Sequence, residues 1–226
     1  MLAKKGKTFY LGEMVTEAPK PVRRRRHGQE LESALLTAGW DELADVGYAR
    51  LTMESVARRA GTSEPVLYRR WPNKDQLVLA AMEHYRNAHP IALPDTGALR
   101  TDLLAELTAV SEARAGIYAI AAGASSSGLL ADTGLTVSQI RERVMGGPLL
   151  PHQRAIYQRA DDRGEIDLER IPAAVLNLPF DLVRHDLLMD LRPPEPARIQ
   201  SIVDELFLPL LRDYQAGPRP PSANTA

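Results

Sequence analysis

The segment TMESVARRAGTSEPVLYRRWPNK, residues 52–74, decides the fold. Thr52 is placed to cap a helix with its side-chain oxygen, and Glu54 falls in the first turn, where the helix dipole favours an anion. Val56, Ala57 and Ala60 form one inner stripe, and Gly61 stops the helix. Ser63-Glu64-Pro65 then opens another helix, because proline is tolerated in a first turn where its missing N–H costs nothing. That helix must end before Pro72. Two short helices joined by a tight glycine turn make a helix-turn-helix over residues 52–71.

Working outward, Leu31, Ala34, Leu35, Ala38, Leu43 and Val46 repeat at intervals of three to five, which predicts a preceding helix that ends at Gly47. Asn73 and Gln76 have the spacing of a capping box, and Leu77, Leu79, Ala80 and Tyr85 carry a fourth helix to about Ala88. The proline-bounded stretch 90–94 separates this head, residues 23–89, from a larger part over 95–215. Helical periods there cover roughly 97–113, 115–130, 134–146, 149–163, 168–190 and 196–214, divided by Gly116, Gly146-Gly147-Pro148, Gly164 and Pro193-Pro194. Residues 1–22 are read as a flexible arm and 216–226 as a disordered tail. No strand pair or internal repeat is evident, so the expected fold class is all-α: a three-helix helix-turn-helix domain plus a larger helical domain.

The chain has 226 residues, 44% of them hydrophobic, which is enough for a packed core without staples. It contains no cysteine, which excludes disulfides, thiolate zinc sites and cysteine nucleophiles. No apolar run is long enough to span a bilayer and the first ten residues lack a signal-peptide core, so a soluble cytoplasmic protein with no membrane partner is expected. The net charge of −1 hides an asymmetry: residues 1–89 carry 15 Lys and Arg against 11 Asp and Glu, the remainder 13 against 18. A basic head on an acidic body suits a polyanion at one end only.

On the third helix Leu67 and Trp71 share the inward face, leaving Pro65, Val66, Tyr68, Arg69 and Arg70 on the outward arc. The major groove admits one helix. Arginine forks onto guanine, glutamate accepts from cytosine, and an apolar side chain meets the thymine methyl, chemistries that Arg69, Arg70, Glu64 and Val66 offer. Thr52, Tyr68 and Lys74 suit phosphate oxygens, and Thr62 and Ser63 in the turn complete the candidate DNA contacts. The arginine run at 23–26 reads either as a basic arm along the phosphates or as a solubilising flank.

Gly47-Tyr48, Leu51-Thr52-Met53, Val56-Ala57, Ala60-Gly61-Thr62-Ser63, Leu67-Tyr68 and Trp71-Pro72-Asn73-Lys74 together resemble the DNA-binding domain of the tetracycline-repressor (TetR) family, over about residues 27–89. The resemblance implies Thr52, Glu64, Pro65, Val66, Tyr68, Arg70 and Lys74 as DNA contacts. It departs at Trp71, where phenylalanine is common, and at Glu64, where polar or basic residues are usual. It also implies that the larger domain dimerises and encloses a small-molecule pocket.

Two stripe-bearing segments fit the dimerising pair: Val175, Leu178 and Leu182 beside Leu176, Phe180, Val183 and Leu187, then Ile199, Ile202, Val203, Leu206, Leu210 and Tyr214. Intramolecular core is the alternative. A homodimer would read half-sites about 34–36 Å apart on double-stranded DNA with a palindromic operator. Leu103, Leu107, Ile117, Ile120, Ile140, Val144 and Ile156 are expected as apolar pocket walls for a small apolar ligand, with Tyr118, Asn177 and His185 as candidate polar contacts. Pro179 and Pro209 should kink or break their helices, and the Gly123–Gly128 stretch should break and line a cavity. The five histidines (His27, His84, His89, His152, His185) are scattered without metal-ligand spacing, so no enzyme, metal or other cofactor is expected. The expected function is a repressor released from its operator by a ligand. The alternative is a dimeric DNA-binding regulator without one.

Overall fold

A computed structural model of the chain describes residues 28–146 and 151–216, with the side chains of Pro151 and His152 left out. The arm, the arginine run at 23–26, His27, the Gly147-Pro148 break and the tail from Gly217 lie outside the described residues. What is described is helical, with no strand among the described residues.

The head is built from α1 (Gln29–Arg50), α2 (Met53–Ala60), α3 (Glu64–Tyr68) and α4 (Lys74–Ala88). Local chemistry sets each boundary. Gly47 leaves helical geometry at φ 75° and ψ 164°, and three further residues bring the chain to Leu51. Thr52 Oγ1 accepts from the Ser55 amide at 3.0 Å while Ser55 Oγ accepts from the Thr52 amide at 3.1 Å, closing a capping box on α2. Gly61 takes the left-handed conformation at φ 66°, which an L side chain would strain. Asn73 accepts from the Gln76 amide at 3.1 Å, but the return bond of the expected capping box is absent because the Gln76 side chain accepts from Arg143 instead. Leu35, Leu43, Val56, Leu67, Leu77, Leu79 and Met82 fill the space between these helices, and Trp40 stacks on Tyr85 at 3.8 Å to join α1 to α4.

The rest comprises α5 (Leu99–Ala124), a π-helical turn (Ser125–Leu129), α6 (Leu130–Thr133), α7 (Val137–Met145), α8 (Pro151–Asp162), a 3₁₀ turn (Leu168–Arg170), α9 (Ala173–Asp190) and α10 (Pro196–Ser201). A second π segment (Ile202–Phe207) leads into α11 (Leu208–Ala216). Here the structure departs from sequence expectation. Helix α5 runs straight through Gly116: the position is exposed, and the glycine's cost of about 1 kcal/mol is small beside the packing of 26 helical residues. Pro179 does not break α9. Pro209, which withholds a donor from the turn before it, follows the π segment, where the helix is already widened. The expected break at residues 123–128 takes the form of the first π turn, with Gly128 at φ 115°.

Two cores result. The head's core continues into Ile117, Ala124, Leu129, Ile140 and Val144, so the end of α5 and α7 pack on the reading head. The second gathers α5, α8, α9 and the C-terminal segments around Tyr157, Phe180 and Phe207. Tyr157 is fully buried, and its hydroxyl donates to the Leu176 carbonyl at 2.7 Å, in the turn that Pro179 deprives of an N–H. Tyr157→Phe is therefore expected to lower stability by about 1 kcal/mol, because a buried hydroxyl-to-carbonyl hydrogen bond is lost. Urea unfolding checks this, and an unchanged midpoint would refute it.

The apolar stripes of α9 and the C-terminal segments divide between inside and outside. Leu176, Phe180, Val183, Leu187, Ile199, Ile202 and Val203 are buried in the chain's own core. Leu178, Leu182 and Leu210 are half-buried, and Leu206, Tyr214 and Met189 are exposed.

Candidate functional site

The outward face of the head is assembled from three helix starts and one short helix. Leu67 is fully buried and Trp71 nearly so, which turns Pro65, Tyr68, Arg69 and Arg70 to solvent. Tyr68 keeps 49% of its surface exposed, unusual for a large aromatic side chain without a partner to cover it. Val66, Glu64 and Thr62 are half-buried at the edge of the arc, while Thr52 and Ser63 are exposed. Because the Thr52 oxygen is already an acceptor for its cap, its proton remains free to donate outward. The Arg70 guanidinium reaches back to the Val66 carbonyl at 3.4 Å.

Lys74 is half-buried. Its Nζ donates to the Tyr48 carbonyl at 3.3 Å and sits 4.1 Å above the Tyr48 ring. The Tyr48 hydroxyl in turn donates to Asp132 Oδ2 on α6 at 2.5 Å. Burial and this carboxylate both push the phenol's pKa far up, so it stays a donor. A base of the reading face is thus tied, through one tyrosine, to the larger domain. Arg59 pairs with Glu42 at 2.6 Å and Asp45 at 2.5 Å, fixing α2 to α1 and leaving it neutralised rather than free for phosphate.

Against the inner side of α4 lies a cavity of about 500 Å³. Four arginines from four helices line it: Arg86 (α4), Arg114 (α5), Arg141 (α7) and Arg184 (α9). Leu107, Phe180, Val183 and Leu187 form an apolar wall. A second chamber of about 360 Å³ shares Tyr118, Arg141 and Met145 with it and is otherwise largely apolar, reaching Ser125, Ser126 and Leu130 at the π turn.

Of the expected ligand contacts, Tyr118 lines both chambers, with Arg184 hydrogen-bonded to its hydroxyl. Asn177 and His185 line neither. The Asn177 Oδ1 is buried with no partner among the described residues, and His185 is exposed beside Asp186 at 3.2 Å. They point elsewhere because α9 turns Phe180, Val183, Arg184 and Leu187 toward the cavity. Of the expected walls, Leu107, Ile140 and Val144 line a chamber. Leu103 and Ile156 belong to the second core, Ile117 to the first, and Ile120 to a surface hollow beside α1.

Two family models match the chain: bacterial regulatory proteins of the tetR family over residues 35–81, and the tetracyclin repressor-like C-terminal domain over residues 93–206. An uncharacterized HTH-type transcriptional regulator of Mycobacterium tuberculosis is 34% identical over 190 residues, covering 80% of this chain and 87% of that protein. The chain belongs to the TetR family. A protein named DNA-binding transcriptional repressor TetR, from Mycobacteroides abscessus, is 30% identical to this TetR-family chain over 191 residues, covering 82% of it and 96% of that relative. Among solved structures, the TetR family transcription regulator SCO0332 superposes with a TM-score of 0.50 at 26% identity, over 79% of this chain and 97% of that one. The chain is therefore a DNA-binding transcription regulator with an N-terminal helix-turn-helix and a C-terminal helical domain. No helix among its described residues is long and apolar enough to cross a membrane.

The arginine lining of this TetR-family cavity was not foreseen from sequence. One signal existed: Leu103, Leu107, Val110, Arg114 and Tyr118 share one helical face, so Arg114 interrupts an apolar stripe. Behind it Glu106 is fully buried, and burial raises its carboxyl from 4.5 to about 7 against the opposing influence of Arg114 and a Gln153 hydrogen bond. The folded chain therefore holds this proton more tightly than the unfolded one between about pH 4.5 and 7, and its contribution to stability is lost as pH rises through that window. Glu106→Gln is expected to be more stable than the parent at pH 8, with the gap closing by pH 5. A gap independent of pH, measured by thermal unfolding, would contradict this.

Proposed function

We propose that this regulator is a homodimeric repressor, bound to a palindromic operator and released when a small molecule fills the cavity beside α4. The observation that carries the reading is the cavity's position. Its second chamber borders the π turn that leads into α6, and α6 holds the Tyr48–Asp132 hydrogen bond to the reading head. A ligand that fits only one placement of α6 relative to α1 would shift the population between a head spacing that matches two half-sites and one that does not. Leu206, Tyr214 and Met189, left exposed beside half-buried Leu178, Leu182 and Leu210, support a second copy packing on these helices. A relative that is itself named a repressor supports the sign of control. The reading without a ligand is disfavoured by chambers of this size, since a chain that only dimerises has no need of them.

On the operator, Arg69, Arg70, Glu64, Val66 and Pro65 face base edges, while Thr52, Thr62, Ser63, Tyr68 and Lys74 hold phosphates. Selection of bound DNA from a random pool tests the reading. One palindrome with a fixed half-site spacing is expected, and sequence-blind recovery would sink it.

A further inference from the structure

We infer that the two adjoining chambers form one site for an amphipathic organic anion, its charged head among Arg86, Arg114, Arg141 and Arg184 and its apolar body against Ala122, Leu130, Ile140 and Val144. This rests on the ligand-responsive reading above and narrows it from a small apolar molecule to a charged amphiphile.

Charge is the first argument. Among the described residues, the larger chamber is lined by four guanidinium groups and no carboxylate. Arginine cannot shed its proton to escape burial, so the group must be solvated, paired or repelled. Two carboxylates stand near, and together they offset only part of the surplus. Asp181 pairs with Arg184 and Glu106 lies behind Arg114, whereas Arg86 and Arg141 have no carboxylate partner among the described residues. Arg114 donates to the backbone carbonyl of Arg86, and burial followed by the Arg86 charge lowers its pKa. Arg141 forms no ion pair or hydrogen bond among the described residues. The cavity therefore carries a net positive lining, which a carboxylate or phosphate would complement through forked bonds.

Shape is the second argument. Tyr118, Arg141 and Met145 line both chambers, so the cationic pocket and the apolar one adjoin at these three side chains. Volumes of about 500 and 360 Å³ fall within the range of small-molecule sites. A wholly polar anion would leave the second chamber unfilled, and a neutral apolar molecule would strip water from four guanidiniums and offer them nothing. Only a molecule with both halves satisfies both chambers.

Isothermal titration of the full-length protein with decanoate, decyl phosphate, 1-decanol and decylammonium, each below its aggregation threshold, tests this directly. One or both anions are expected to bind at least tenfold more tightly than decanol, and decylammonium not at all; which anion is tighter identifies the head group. Arg141→Met and, independently, Arg86→Met, both half-exposed and so tolerant of change, should each weaken anion binding about ten- to a hundredfold while leaving decanol unaffected. Ala122→Phe should shift the preference toward shorter carboxylates. Decanol binding as well as decanoate, an unaltered anion preference in both arginine variants, or no anion binding would each overturn the inference. Anion binding with unchanged operator affinity would leave it standing and refute ligand release instead.

Discussion

Leu67→Ala is expected to lower the stability of the protein by about 3 kcal/mol and its melting temperature by about 6–12 °C. Helix α3 is only five residues long, and Leu67 is its one buried side chain. So short a helix has no stability of its own: it exists because this side chain is held among α1, α2 and α4 and because Trp71 follows it into the core. Truncation leaves a cavity that the surrounding helices, fixed by the Trp40–Tyr85 stack and the Arg59 ion pairs, cannot close. The position of the outward arc depends on the same anchor, so DNA affinity should fall with stability. Tyr68→Ala, next to it and half exposed, serves as the contrast: stability within about 0.5 kcal/mol of the parent, with weakened DNA binding. Thermal unfolding followed by circular dichroism separates the two, and a loss under 1 kcal/mol for Leu67→Ala would show that α3 is held by something else.

Replacing Arg69 and Arg70 together by alanine is expected to weaken operator binding about 10²- to 10⁴-fold with stability nearly unchanged. Both side chains are exposed, and neither has a carboxylate partner among the described residues. Each forked contact to guanine is worth about 1–3 kcal/mol, and an arginine on phosphate adds a counterion-release contribution that salt removes. Single variants distinguish the roles. Loss of a base reader relaxes specificity at one position, whereas loss of a phosphate contact weakens all sequences alike and lowers the salt slope by about one. Arg69 has no competing side-chain bond among the described residues, while Arg70 must first release the Val66 carbonyl. Fluorescence anisotropy at two salt concentrations on cognate and scrambled duplexes measures both effects, and a double variant within threefold of the parent would remove α3 from the interface.

The reading head was legible because its boundaries are local decisions. A threonine with its cap three residues on, a left-handed glycine and an N-terminal proline each act within one turn, so residues 52–74 carry their own structure in their spacing. The failures came where a distant partner competes for a side chain or outweighs a local cost. Gln76 fits a capping box but takes Arg143. Gly116 suits a break but lies in a helix fixed by its neighbours. Tyr118 lines both chambers because it lies on the buried face of α5, whereas Asn177 and His185 were chosen by residue type, and the rotation of α9 keeps them out of the lining.

By itself, then, the sequence determined an all-α chain, the helix-turn-helix and its outward arc, which rest on periodicity and contacts a few residues long, while its motifs carried the resemblance to the TetR family. Tertiary structure alone decided the rest: that Arg86, Arg114, Arg141 and Arg184, spread over nearly a hundred residues, meet around one cavity, and that Tyr48 reaches Asp132. The reason is physical. Helical period says which side of its own helix a residue occupies, but the rotation and placement of one helix against another come from packing shared by the whole core.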